Sequence, residues 1–189
     1  MKKLFAVILL LPTLVFTQGN NYHVYSEKHL GVMPVKEGKV HYTEVVEMKG
    51  CSQSELYCRA KIYFDNAYAS AKNVFQYQEA GSGLIAGKSY LMEDWTFALV
   101  TNHVDINHSI SIFCEDNKYT IEMKDFECRY STNFNTTMTS EVATVFPIED
   151  MGSKAGNKGA KFLERVDRKV TAQINDIKRE MNVECMTNN

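Results

Sequence analysis

The chain has no second hydrophobic run that approaches membrane length, no cysteine ahead of Cys51 and no excess of positive charge. The first absence leaves a single apolar stretch, Leu4 to Phe16, which is shorter than the roughly 20 residues a spanning helix needs. The second leaves no residue near the N-terminus to carry a lipid. The third follows from 21 basic against 23 acidic side chains, a net charge of −2. Binding to nucleic acid or to an anionic membrane surface rests on clustered Lys and Arg, so neither partner is expected. Catalytic signatures are missing as well. There is no Gly-x-Ser-x-Gly elbow and no cysteine-protease signature. No Lys-Ser/Thr pair follows Gly81-Ser-Gly83, which therefore reads as a hairpin turn and not a phosphate cradle.

What is present begins with Met1-Lys2-Lys3, an apolar run to Phe16 and a plausible cut after Thr17. That is the layout of a secretory signal peptide over residues 1–17. Without it, 19 basic residues face 23 acidic ones, a charge of about −4. The expectation is an exported, unanchored protein, periplasmic or extracellular, with one domain and appendages.

Five cysteines in an exported chain invite disulfides and leave at least one unpaired. Cys51 and Cys58, if both on one helix, would stand about 10 Å apart, too far to bridge. Cys114 and Cys128 are kept apart by their hairpin, and Cys185 lies near the tail. Free thiols are the favoured reading.

Residues 18–37 show no period and read as an extended lead-in. From Lys39 to Met48 apolar and polar residues alternate, with Val40, Tyr42, Val46 and Met48 on one face and Glu44 as the exception, which predicts a strand. Ser52-Gln-Ser-Glu55 has the form of a capping box. Leu56, Ala60, Tyr63, Phe64 and Ala67 follow at helical spacing, so a helix is expected over about 52–68. Val74 to Gln78 and Leu84 to Tyr90 read as a hairpin, and Trp95 to Thr101 as a short further strand. Ile106, His108, Ile110, Ile112 and Cys114 alternate up to a two-residue turn at Asp116-Asn117, and Tyr119, Ile121 and Met123 lead back. At Asp125 the phase shifts to Phe126, Cys128 and Tyr130, which predicts a bulge. Residues 132–157 are rich in Ser, Thr, Asn and Gly and read as a linker loop. Residues 158–183 form an amphipathic helix whose stripe runs Phe162, Leu163, Val166, Val170, Ile174, Ile177 and Met181, with Glu164 and Arg168 as an i,i+4 pair. Covering the sheet is its favoured role over pairing with a second copy.

The order strand, capped helix, four or five antiparallel strands, helix is an α+β order with helices on one face of the sheet. At four places the sequence resembles a known family. These are Met33 to Met48 as its opening strand, Ser54-Glu-Leu-Tyr-Cys-Arg-Ala60 as its helix start, Ser70 to Gln76 with Gly83 to Lys88 as its central hairpin, and Ser111 to Tyr119 as its strand-turn-strand element. The family is a group of exported bacterial domains of unknown function, number 4468, with a TBP-like fold. The resemblance spans about residues 33–130 and implies that fold for 38–131. Asn117 stands where the family usually has Gly, and Thr120 where it often has Arg. No catalytic group is implied, and a TBP-like arrangement of strands does not carry DNA binding with it.

Candidate chemistry is thin. His103, Asp105 and His108 offer three metal ligands in six residues, but a strand sends His108 to the opposite face. Cys58 could be a thiol activated near a helix start, though a packed small residue is the simpler reading. Glu93 and Asp94 before Trp95 suggest a carboxylate pair, which would need a loop there. No catalytic, cofactor or metal site is therefore expected. A non-catalytic binding module of the cell envelope is favoured, its partner an envelope protein or a small ligand, with an aromatic row from Tyr22, Tyr25, Tyr119 or Tyr130 on the sheet. A small hydrolase or thiol enzyme, and an assembly protein dimerising through the last helix, are the alternatives.

Overall fold

The computed structural model describes residues 31–67, 75–97, 100–131 and 143–182. In chain order these form β1 (Val35–Lys36), β2 (Lys39–Val40), β3 (Tyr42–Glu47), α1 (Gln53–Ala67), β4 (Phe75–Glu79), β5 (Leu84–Phe97), β6 (Val100–Glu115), β7 (Lys118–Ser131), β8 (Ala143–Pro147) and α2 (Glu149–Met181). All pairing is antiparallel, in the order β3-β7-β6-β5-β4. β8 also pairs with β7, beyond the end of β3 on the same edge. The β6–β7 hairpin turns at Asp116-Asn117, with Asn117 at a φ of 66°, and its register sets Cys114 opposite Tyr119. The expected bulge is present. Asp125 takes a φ of 57°, and one residue of β6, His108, stands against both Asp125 and Phe126.

Period two sends Ile85, Val104, Ile106, Ile110, Ile112, Tyr119, Ile121 and Met123 to one face. Both helices cover it. α2 buries the whole expected stripe from Phe162 to Met181, and α1 buries Leu56, Ala60, Tyr63 and Phe64 while Ala67 stays exposed. Each Leu, Ile, Val, Phe or Met among these contributes roughly 1.5–3 kcal/mol if fully buried. Ser52 Oγ accepts the Glu55 N–H at 3.3 Å, half of the capping box. The other half is replaced, since Glu55 instead pairs with Arg59 at 2.6 Å, and Asp116 Oδ1 accepts the Gln53 N–H at 2.8 Å.

Six expectations need correction. The lead-in ends in the β1–β2 hairpin, whose central residues Glu37 and Gly38 both take the positive φ that a type I′ turn requires, and Met33 is buried in the core. No separate strand covers 95–101, because β5 and β6 are long enough to absorb both ends of that stretch. The linker of 132–157 contains β8 and the start of α2, because the edge of β7 past its bulge needs a partner; Ile148 and Met151 pack in the core there. Gly156, at φ 52° and ψ −132°, breaks α2 near the point where the helix was expected to begin. Cys51 is disulfide-bonded, while Cys58, Cys114 and Cys128 are free thiols. Finally, among the described residues no ion pair joins Glu164 to Arg168.

Candidate functional site

The residues that alternate with the core row make a second sheet face, which no helix covers among the described residues. Cross-strand register orders it into rows. Near the β6–β7 turn, Leu84, Phe113, Thr120 and Val45 are successive partners. At the other end Met92, Asp105, Arg129 and Val145 are successive partners. Between them lie Lys88, Ser109 and Lys124, then Tyr90, Asn107 and Glu127. The face is thus apolar near the β6–β7 turn, charged across its middle, and mixed at the far end, where Met92 and Val145 flank Asp105 and Arg129. Its belt is internally neutralised: Glu122 accepts from His41 at 2.8 Å and from Lys124 at 2.7 Å. Burial pulls the Glu122 carboxyl up, but Lys124 and His41 outweigh it and leave its pKa below the ordinary value.

Behind the sheet a line of polar contacts fastens α2. The Tyr42 hydroxyl donates to Asp167 Oδ1 at 2.7 Å, and Lys178 pairs with Glu44, the exceptional polar residue of β3's inner face. Arg165 Nε and Lys169 Nζ reach the two oxygens of buried Glu93 at 2.5 and 2.7 Å. Desolvation raises the Glu93 pKa, and the two cations more than reverse that, so it lies lowered. His108, 2% exposed, stacks on Phe126 at 5.1 Å and stands opposite Ser89 in register. Burial lowers its pKa to about 4, against the opposing hydrogen bonds of Ile106 and Gln173. A serine beside a histidine suggests hydrolysis, yet both lie under α2, where no substrate reaches them.

The sequence candidates fall apart in this frame. His103 pairs with Asp94 at 2.6 Å on the open face, Asp105 is on that face too, and His108 is in the core. Among the described residues no group of His, Cys, Asp and Glu could hold a metal ion. Glu93 and Asp94 occupy a strand, not a loop, and so point to opposite faces. Cys58 is exposed on α1 and not packed, because its position lies off the apolar stripe. Tyr119 is fully buried and Tyr130 half-buried against the core, since both share the phase of the inner face; Tyr22 and Tyr25 lie outside the described residues. Among the described residues the exposed aromatics are instead Tyr77, Tyr90 and Phe113. Their signal was in the sequence, as the positions out of phase with Ile85 and Ile112.

Residues 42–129 match the family model "Domain of unknown function (DUF4468) with TBP-like fold". The matched span runs from β3 into β7 and includes α1. A TBP-like protein from Parabacteroides distasonis ATCC 8503 is 18% identical, with a TM-score of 0.64, and the match covers 82% of this chain and 99% of that one. A DUF4468 family protein from Bacteroides ovatus ATCC 8483 is 17% identical, with a TM-score of 0.64, over 83% of this chain and 94% of that one. At these identities the likeness shows the fold. No curated protein matches the sequence.

Proposed function

We propose that the chain is an exported, non-catalytic interaction module that engages a protein partner of the cell envelope through its open sheet face. One observation carries the reading: Val45, Tyr77, Tyr90, Met92, Phe113 and Val145 are all large, apolar and exposed. Exposed apolar surface gathered on one face, as these residues are on the sheet, is a feature of interaction sites. The mixed charge of the same face, Lys88, Lys124 and Arg129 among Asp105, Glu122 and Glu127, supports a protein partner over nucleic acid. Export is supported by residues 1–17, and no helix among the described residues is long and apolar enough to cross a membrane. The assembly alternative required an uncovered stripe on α2, and that stripe is buried within one chain.

The test is photo-cross-linking in the producing cells, with a benzophenone side chain at Phe113 or Val45 on the open face and at Lys161 or Arg168 on the outer side of α2. A discrete protein adduct from the sheet positions alone is expected. Adducts from α2 alone, or from neither surface, overturn the reading.

A further inference from the structure

We infer that the outer edge of β5 is the part of this surface that grips the partner, by adding an extended strand whose side chains alternate apolar and acidic. The inference rests on the interaction reading above and narrows it to one place and one chemistry.

β4 pairs with β5 only as far as Gly87, so from Lys88 onward no strand lies on that side among the described residues. The Met92 carbonyl accepts from Lys169 Nζ, and the Asp94 carbonyl accepts from Arg165 Nη2 at 2.8 Å. Both carbonyls therefore point away from β6. In an antiparallel strand the N–H and C=O of one residue point to the same side, and every second residue repeats the direction. Tyr90, Met92 and Asp94 thus present their backbone N–H groups on this edge, and no strand among the described residues accepts them. An incoming strand can complete that ladder.

Side chains supply the selectivity. Tyr90 and Met92, the two most exposed large apolar residues at 59% and 61%, stand beside the edge on the open face. They would meet alternate residues of the added strand. On the helix side Arg165 and Lys169 share the single carboxylate of Glu93, which leaves one positive charge in excess on that side of the edge, while the Asp94 carboxylate lies on the open face with His103. An added strand displaces these two cations from the Met92 and Asp94 carbonyls. An acidic side chain on its helix-facing side then receives them, and a basic one would repel them.

The experiment follows amide exchange and ¹H–¹⁵N shifts of the full mature chain titrated with the peptide acetyl-Thr-Val-Asp-Val-Asp-Val-Thr-amide. The same peptide with Lys for Asp and one with a central Pro are the controls. The expected result is slowed exchange, about tenfold or more at saturation, at Tyr90, Met92 and Asp94, with the Lys peptide about tenfold weaker. Met92→Pro removes one outward N–H without touching the β6 ladder, a place where an edge strand tolerates proline. It should keep the fold by circular dichroism and lose the peptide, and Tyr90→Ser should weaken it. Equal binding of both charged peptides overturns the acidic part, and no protection at the three amides with any peptide overturns the whole. Protection already present in the free chain would mean that the edge is occupied without a partner, and would also overturn it. Failure here leaves cross-links from Phe113 and Val45 intact, whereas failure of the broader reading abolishes those as well.

Discussion

Glu149 Oε1 accepts the backbone N–H of Val40 at 2.7 Å, a buried bond between residues 109 positions apart. It fastens the start of α2 to the start of the sheet, and Lys39 stands 4.0 Å from the other carboxylate oxygen. Glu149→Ala leaves the Val40 N–H buried without an acceptor, at a cost of about 1–3 kcal/mol. Glu149→Gln keeps an acceptor and should lose less than half as much. Urea midpoints of the two variants check this, and equal losses would show that the charge and not the bond matters.

His108 makes stability depend on pH. Its folded pKa of about 4 lies below the ordinary 6.5 because burial disfavours the imidazolium. Between those values the unfolded chain binds the proton and the folded one does not. Stability is complete above about pH 6.5 and falls as the pH drops toward 4, by on the order of 3 kcal/mol. Glu93 and Glu122, both lowered, add their losses only as the pH falls below the ordinary carboxylate range. Unfolding free energies at pH 7.5, 6, 5 and 4 should show the decline, and His108→Phe, which can keep the stack on Phe126, should flatten it. An unchanged slope in that variant would place the dependence elsewhere.

The strands, the turn at Asp116-Asn117 and the bulge at Asp125 were legible because period two is local: a phase slip after Met123 has no other explanation in a strand. β8 was not legible. Ala143-Thr-Val-Phe-Pro147 is too short to show a period, and its pairing is decided by the vacant edge of β7, which is a tertiary fact. The open face was readable as the complement of the core row, but its aromatics were assigned from the wrong phase. Tyr119 follows Ile121 and Met123 inward, whereas Tyr90 falls out of step with Ile85 and so faces out. The clasp of Arg165 and Lys169 on Glu93 joins residues 72 apart in its Arg165–Glu93 bond, and no spacing rule connects them.

The thiols should separate by access. Cys58 is exposed, and Cys114 and Cys128 are buried, with burial pushing the Cys114 thiol up to about 12. Of these three, iodoacetamide on the native chain should therefore label Cys58 alone, and should label all three after unfolding without reductant. Cys51 should react only after reduction. A non-reduced peptide map should show Cys51 in a linked peptide and Cys58, Cys114 and Cys128 in unlinked ones. Labelling of Cys51 without reductant would refute the assignment.

Gly83 is where the β4–β5 turn meets the β6–β7 hairpin. Its φ is +73°, its carbonyl accepts the Cys114 N–H at 2.9 Å, and its own N–H donates to the Ala80 carbonyl at 3.2 Å. A Cβ there would lie 2.2 Å from the Cys114 carbonyl oxygen and 2.6 Å from Gln53 Nε2. The first neighbour is backbone of the central sheet and cannot give way, so Gly83→Ala must move one hairpin against the other. Strain at positive φ adds about 1 kcal/mol to that displacement. The expected loss is about 3 kcal/mol or more, enough to unfold a marginal domain. Gly81, two residues earlier in the same turn, would place a Cβ in open space, so Gly81→Ala should stay within about 0.5 kcal/mol of the parent. Thermal melts of the two variants side by side separate this contact from a general effect of glycine in the turn: similar losses at both positions would mean that turn flexibility, and not the approach to Cys114, fixes the glycine at 83.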